Sequence, residues 1–204
     1  MRIQSAETLG NLAELYLTTG EFTTAESYIR QAVQIAQLAG DRRRLASTLT
    51  RLAHLKQLQS NHNEAMAVLD SAEAVESGSQ TPQRRIDYLC LRAEFSRQAQ
   101  ELTLAERYLS DAYRVLDSCA TYTNRQRVDI ISAELAVDQK RWREAYAILA
   151  AVIARSEQLR GNIPDPQLRT SFQGQSRFVY EQMVKTLYNL RKSGEFSGVD
   201  DSLL

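Results

Sequence analysis

The chain has 204 residues, 25 basic and 25 acidic side chains, and a formal net charge of zero. This size fits one domain or a short array of small units, and the charge balance excludes a bulk electrostatic case for nucleic acid or an anionic membrane. Only 8 glycines and 3 prolines are set against 24 alanines, which favours a chain that is almost all helix.

The N-terminal stretch is polar, with Gln4, Ser5 and Glu7, so no secretory signal is read there. Leu9, Leu12, Ala13 and Tyr16 then follow the i, i+3, i+4, i+7 spacing of a first amphipathic helix. Thr19-Gly20 predicts a turn. Phe22, Ala25, Ile29, Ala32, Val33 and Ala36 predict a second helix, which Gly40 ends as a C-cap.

The same plan returns every forty residues. Ala13, Ala53, Ala93 and Ala133 form one column, and Ala25, Ala65, Ala105 and Ala145 another. Ala32, Ala72, Ala112 and Val152 form a third; Ile29, Leu69, Leu109 and Leu149 a fourth; Leu15, Leu55, Phe95 and Leu135 a fifth. Small residues are expected where helix axes cross at 8–10 Å, with the large ones filling the space beside them. Gln57 and Gln100 lie outside these columns and are expected to tolerate larger residues. Breaks are expected at Ser77-Gly78 and near Ala120-Thr121. Thr81-Pro82 reads as an N-cap with proline at the first helical position, and Thr123 with Gln126 has capping-box spacing.

The predicted organisation is four helix–turn–helix copies over residues 1–160, at about 6–45, 46–85, 86–125 and 126–160. A turn-rich break follows at 161–166, from Gly161 through Pro164 and Pro166. Residues 167–193 read as one long C-terminal helix and 194–204 as a frayed tail. Phe172, Val179, Met183, Leu187 and Leu190 give that helix an apolar stripe, expected to cap the last pair, with a side left open for self-association or for docking of a further domain of a longer protein. Gly194-Glu195-Phe196 repeats Gly20-Glu21-Phe22, as if a fifth first helix came about fourteen residues late.

These residues resemble tetratricopeptide (TPR) repeats. Copy one carries the pattern in Leu9, Leu12, Ala13, Tyr16, Gly20, Phe22, Ala25, Ile29 and Ala32. Copy two keeps Leu49, Leu52, Ala53, Ala65, Leu69 and Ala72 but has Lys56 and His62 at the aromatic positions. Copy three has Arg92 and Ser96 at the Leu and Tyr positions; copy four keeps Ala133, Trp142, Ala145 and Leu149. The resemblance covers about residues 6–160, with a period longer than the commonest TPR by roughly six residues. It implies an all-α, right-handed superhelix of four repeats plus a capping helix. The stretch Leu168-Arg169-Thr170-Ser171-Phe172, with Val179-Tyr180-Glu181 and Val184, resembles the segment preceding the caspase-like CHAT domain in bacterial TPR–CHAT proteins. That implies a regulatory TPR portion of a longer signalling protein and lends this chain no protease activity.

No catalytic constellation is read. Cys90, Cys119, His54 and His62 fall within repeat helices, without CxxC or HxxxH spacing, and no phosphate-binding glycine loop occurs. The longest apolar run, Ala145 to Ala154, is about half of the ~20 residues a membrane helix needs. No enzyme activity, metal, cofactor or membrane is expected, and the default location is cytoplasmic.

Surface therefore carries the functional expectation: a protein–protein interaction scaffold or sensor that takes a protein or peptide in the groove lined by first helices. The residue after each first-helix Ala gives the column Glu14, His54, Glu94 and Glu134. Flanking it lie Asn11, Arg51, Leu91 and Ile131 on one side, and Thr18, Leu58, Gln98 and Asp138 on the other. An acidic column favours a basic or amide-rich peptide; the competing explanation is that Glu simply favours a solvated helix face. A second feature is a rim of Arg42, Arg43, Arg44, Arg84, Arg85, Arg125 and Arg127 where first helices begin. It reads either as a site for an anionic partner, a nucleic acid being the less expected one, or as arginines drawn to the carbonyls of a neighbouring helix end.

Overall fold

The computed structural model describes residues 2–78, 80–119, 121–162 and 166–194, with side chains described for 6–78, 80–119, 121–162 and 177–194. All regular structure among them is helical: α1 (Arg2–Thr18), α2 (Phe22–Ala39), α3 (Arg42–Leu58), α4 (His62–Glu76), α5 (Pro82–Gln98), α6 (Leu102–Cys119), α7 (Tyr122–Asp138), α8 (Trp142–Gly161) and α9 (Pro166–Lys192). Met1–Gln100 and Glu101–Leu204 form two compact units.

The forty-residue period extends to backbone details. The turn inside each copy places one residue in the left-handed region: Gly20 (φ 79°), Ser60 (62°), Gln100 (64°) and Lys140 (59°). Each of these amides bonds back to a carbonyl three residues earlier, on Leu17, Gln57, Arg97 and Val137. The next amide in three copies bonds five residues back: Glu21 to Tyr16, Asn61 to Lys56 and Arg141 to Ala136. That pair of bonds is the Schellman closure of a helix end. Gly40 (φ 66°) ends α2 in the same way, as its sequence position predicts.

First helices begin on a second column. The side chains of Asp41, Thr81 and Thr121 accept from the amides of Arg44 (3.0 Å), Arg84 (3.3 Å) and Asn124 (3.2 Å). The first helices of copies two to four therefore start at Arg42, Pro82 and Tyr122, a few residues ahead of the boundaries read from sequence. The Thr123–Gln126 capping box does not form, because Thr121 already occupies the cap and Thr123 lies inside α7.

Within Met1–Gln100, Ala13, Ala25, Ile29, Leu52 and Leu55 form one buried cluster, flanked by Tyr16 stacked on Tyr28 at 5.5 Å. A second holds Ala53, Ala65, Leu69, Ala72, Tyr88, Leu91 and Phe95. Both alanine columns at the helix crossings are at most 1% exposed throughout. One column member departs. Leu15 is 58% exposed, whereas Leu55, Phe95 and Leu135 are 0–2% exposed. Leu55 is covered by α2, the second helix of the preceding copy, and no described second helix precedes α1.

Within Glu101–Leu204, Ala133, Leu149, Val152 and Val179 share a buried cluster with Ile130, Ile148, Ile153 and Met183 packed against it. α9 thus lies against α8 through Val179 and Met183, with Leu190 fully buried and Leu187 half-buried. Tyr180 also ties the two helices, its hydroxyl donating to Glu157 Oε1 at 2.7 Å. That bond holds the Glu157 carboxyl below its usual range. Phe172 lies outside the residues whose side chains are described, and the tail from 195 lies outside the described residues.

Charged pairs join successive copies, differently at each junction. Lys56 of α3, 8% exposed, donates to Glu26 of α2 at 2.9 Å. From α5, Arg92 reaches Asp70 (2.6 Å) and Glu73 (2.8 Å) of α4. From α6, Tyr113 donates to the buried Asp129 of α7 at 2.8 Å.

Candidate interaction surface

The acidic column is built by register. One residue after each crossing alanine, the side chain leaves the buried stripe. In Met1–Gln100, Glu14 is exposed while His54 and Glu94 are half-buried. The His54 ring meets the buried Phe95 edge-on, with centroids 6.0 Å apart, and Gln98 donates to Glu94 Oε1 at 3.4 Å. In Glu101–Leu204, Glu134 is half-buried and Asp138, one turn on along α7, is exposed. Asn11 is exposed, and Arg51 lies across Gly10, where an added Cβ would sit 1.9 Å from the Arg51 Nη1. Gly10 thus leaves the room that the guanidinium fills. Leu91 and Ile131 share the register of Asn11 and Arg51 but are 7% and 5% exposed, so they belong to the core.

The arginine rim is largely engaged within the molecule. Arg42 Nε donates at 2.9 Å to the carbonyl of Val75, near the C-terminal end of α4. Arg44 bonds Asp41 (3.3 Å) and Glu7 (3.2 Å). Arg84 bonds Glu76 (3.0 Å) and lies 5.1 Å from the centre of the Tyr88 ring. Arg125 bonds Asp129 at 3.2 Å and lies over Tyr113; Arg155 also pairs with Asp129. Arg127 is half-buried, while Arg43 and Arg85 are exposed. The neighbouring-helix explanation holds directly for Arg42; for Arg44, Arg84 and Arg125 the acceptors are carboxylates.

Two of those carboxylates, Glu76 and Asp129, are 6% and 4% exposed. Sequence reasoning missed both. For Glu76 a signal existed: it occupies the column Ala36, Glu76, Leu116, Ser156, whose other members are apolar or small and all buried. A carboxylate there requires partners, which Arg84 and the Tyr88 hydroxyl supply. Burial, with the Glu76 carboxylate beside it, pushes Tyr88 up to about 12. Tyr113 is raised likewise, by burial first and by Asp129 second. At Asp41 the bond from the Arg44 amide holds the carboxyl below its usual range.

On Met1–Gln100, Arg43 and Arg51 face a cleft of about 320 Å³ whose walls include Glu7, Asp41, Arg44 and Ser47. Cys90 is buried, Cys119 bonds the Val115 carbonyl, and His62 Nδ1 lies 3.3 Å from Gln57 Oε1. Among the described residues no group of three His, Cys, Asp or Glu side chains is placed to hold a metal, and no helix is long and apolar enough to cross a membrane.

The packed pairs α1–α2, α3–α4 and α7–α8, with buried alanines in register and a left-handed closing residue in each turn, define an all-α helix–turn–helix repeat fold. Residues 4–75 match the tetratricopeptide repeat family, and the fold is that of TPR-like repeats. Among solved structures, the chain is similar to the TPR-like repeats of a kinesin-light-chain-type protein from Podosopora anserina. The identity is 15% and the TM-score 0.62, over 96% of this chain and 99% of that one. It is also similar to BtubC (BKLC) from P. vanneervenii, at 17% identity and TM-score 0.65, over 98% of this chain and 84% of that one. At such identities the likeness is one of fold. No curated protein matches the sequence.

Proposed function

We propose that the chain is a protein–protein interaction module whose first helices receive a basic or amide-rich peptide. TPR-type folds generally mediate protein–protein interaction, which is the coarse reading that the fold carries. The observation supporting the finer one is that Glu14, His54 and Glu94 share one register on Met1–Gln100, with Glu14 exposed and the other two half-buried, and that Glu134 repeats the register on Glu101–Leu204. A face of first helices binds an extended or helical segment by burying its apolar side chains, while charge sets the choice. Fluorescence anisotropy with labelled lysine-rich, acidic and neutral peptides tests it. Tight binding of the lysine-rich peptide, weakened at least about tenfold by the triple change Glu14→Gln, Glu94→Gln, Glu134→Gln, supports the reading. Preference for the acidic peptide overturns it.

A second reading is favoured by the cleft at Arg43 and Arg51, which offers two guanidinium groups beside the Ser47 hydroxyl. It fits an acidic side chain or a terminal carboxylate of a partner. Arg43→Ala with Arg51→Ala would then abolish acidic-peptide binding and leave lysine-rich binding untouched. The resemblance of the α9 region to TPR–CHAT proteins supports a third setting, in which this module regulates a further domain of a longer protein. The reading frame that encodes the chain decides that point.

A further inference from the structure

α1 lacks the cover that the first helices of copies two to four have. Leu12 and Leu15 are 37% and 58% exposed. At the same register in copy two, Leu52 and Leu55 are 7% and 0% exposed and share a cluster with Ala25 and Ile29 of α2. Polar contacts show that this side of a first helix faces the preceding second helix in the later copies as well. Arg92, at the register of Leu12 and Leu52, bonds Asp70 and Glu73 of α4. Lys56, at the register of Tyr16, donates to Glu26 of α2 at 2.9 Å. Gln139, at the end of α7, donates to Glu106 of α6 at 3.1 Å. The side of α1 that carries Leu12 and Leu15 is therefore the side on which a second helix packs, and no described helix precedes α1.

The described helices hold no spare one for this seat. α2 packs on α3, α4 on α5, α6 on α7 and α8 on α9. A second copy in its folded form thus has no second helix to lend, and the occupant comes from another protein.

Charge decides what kind of helix fits. At each internal junction the second helix offers a carboxylate, and the first helix meets it with a cation or an amide: Glu26 with Lys56, Glu73 with Arg92, Glu106 with Gln139. α1 has no such group. Tyr16 and Thr19 stand at the registers of Lys56 and Gln59, the two residues that bond Glu26, and Leu12 stands at that of Arg92. No side chain from Ala6 to Thr18 is basic. A carboxylate brought to this seat would lose water without gaining a counter-charge. The two leucines instead favour a small and aliphatic stripe like Ala25 and Ile29. We propose that the Leu12–Leu15 face of α1 docks an amphipathic helix of a partner protein, one that carries the Ala25–Ile29 pattern and no acid at the Glu26 position. This docking does not depend on the peptide reading of the Glu14 column.

The probe is a synthetic peptide with the sequence Phe22–Ala39 and the change Glu26→Gln, titrated into the full chain and followed by amide chemical shifts. Saturable shifts are expected at Leu12 and Leu15, with the amides of α5 unmoved. Leu15→Asp, at an exposed site, is expected to keep the α5 shifts and to weaken binding at least about tenfold. The same peptide with Glu26 retained is expected to bind at least about fivefold more weakly. Absence of saturable shifts, or binding that survives Leu15→Asp, overturns the proposal. Equal affinity for the two peptides overturns it too, because charge then does not select the occupant. Shifts centred on Leu52 and Leu55 mean that the peptide replaces α2, and overturn it. Leu12 and Leu15 shifts that change with protein concentration before peptide is added assign the face to a second copy and also overturn it.

Discussion

The Tyr88 hydroxyl donates to Glu76 Oε2 across 2.8 Å, joining the core of α5 to the last residue of α4. Glu76 accepts from Arg84 as well, so a buried carboxylate is held by two donors from the following copy. Tyr88→Phe keeps the ring and removes one donor. It is expected to cost about 1–3 kcal/mol, the penalty for an under-satisfied buried acceptor, read as a lowered urea midpoint. An unchanged midpoint would show that the Tyr88 hydroxyl contributes nothing to holding Glu76.

The same tyrosine gives a pH signature. Its folded value is pushed up to about 12 from an ordinary value of 10.0. The folded state therefore holds the proton more tightly than the unfolded state. That contribution is complete below pH 10 and is lost as pH rises toward 12. Stability measured across this window should fall more steeply in the parent than in Tyr88→Phe.

Asp41 supplies the opposite sign. Its folded carboxyl is held below the usual value by the Arg44 amide, so its contribution is present above the ordinary carboxylate range and lost as pH falls through it. Asp41→Ala removes the cap of α3 and should cost about 0.5–2 kcal/mol at neutral pH, and less in acid. Thr81→Ala, at the equivalent cap of α5, should cost a similar amount with no such dependence. Parallel urea titrations at pH 7 and pH 3 distinguish the two.

The closing residues of the intra-copy turns are improvable. Ser60, Gln100 and Lys140 hold φ near 60°, which costs an L-residue about 1–2 kcal/mol and glycine almost nothing. After allowance for the freer unfolded chain, each change to glycine should stabilise by about 0.5–1 kcal/mol, while Gly20→Ala should destabilise. Thermal melts of the four variants check the sign at each site.

Replacing Ala65 or Ala105 with Leu should overpack a helix crossing and cost about 1–3 kcal/mol. Gln57 and Gln100 are unsuitable comparators, although they stand outside the alanine columns. Gln57 is 9% exposed and within bonding distance of His62, and Gln100 is left-handed. Ala67, exposed on α4, serves instead, and Leu there should shift stability by no more than about 0.5 kcal/mol. Equal midpoints for Ala65→Leu and Ala67→Leu would refute the assigned register.

Much of the fold was legible because its signals are local and repeated. Ala13, Gly20, Ala25 and Gly40 each report a crossing or a closed helix end, and copies at one period average out accidental apolar residues. What escaped depends on neighbours that a period does not name. Leu15 matches Leu55 in sequence, yet burial of that column requires a preceding second helix. Thr123 had capping-box spacing, but Thr121 lay where the backbone turns. The arginine rim was visible as a charge pattern, while its acceptors Glu76 and Asp129 had to be found through packing. Register likewise located the Glu14 column without showing that Leu91 and Ile131, beside it, sink into the core.

Repeats built on identical alanine columns face a sorting problem, because any second helix offers nearly the same apolar face to any first helix. The junction charges resolve it. Lys56 finds Glu26 only when copy two follows copy one, and Arg92 finds Asp70 and Glu73 only when copy three follows copy two. A shuffled docking during folding would take Glu26 from Lys56 and leave the buried Glu76 without Arg84 and Tyr88, the latter at a cost of several kcal/mol. The pairs work as an address written along the chain. Copies exchanged with one another, their apolar columns intact, should therefore stack less well than the same copies in native order.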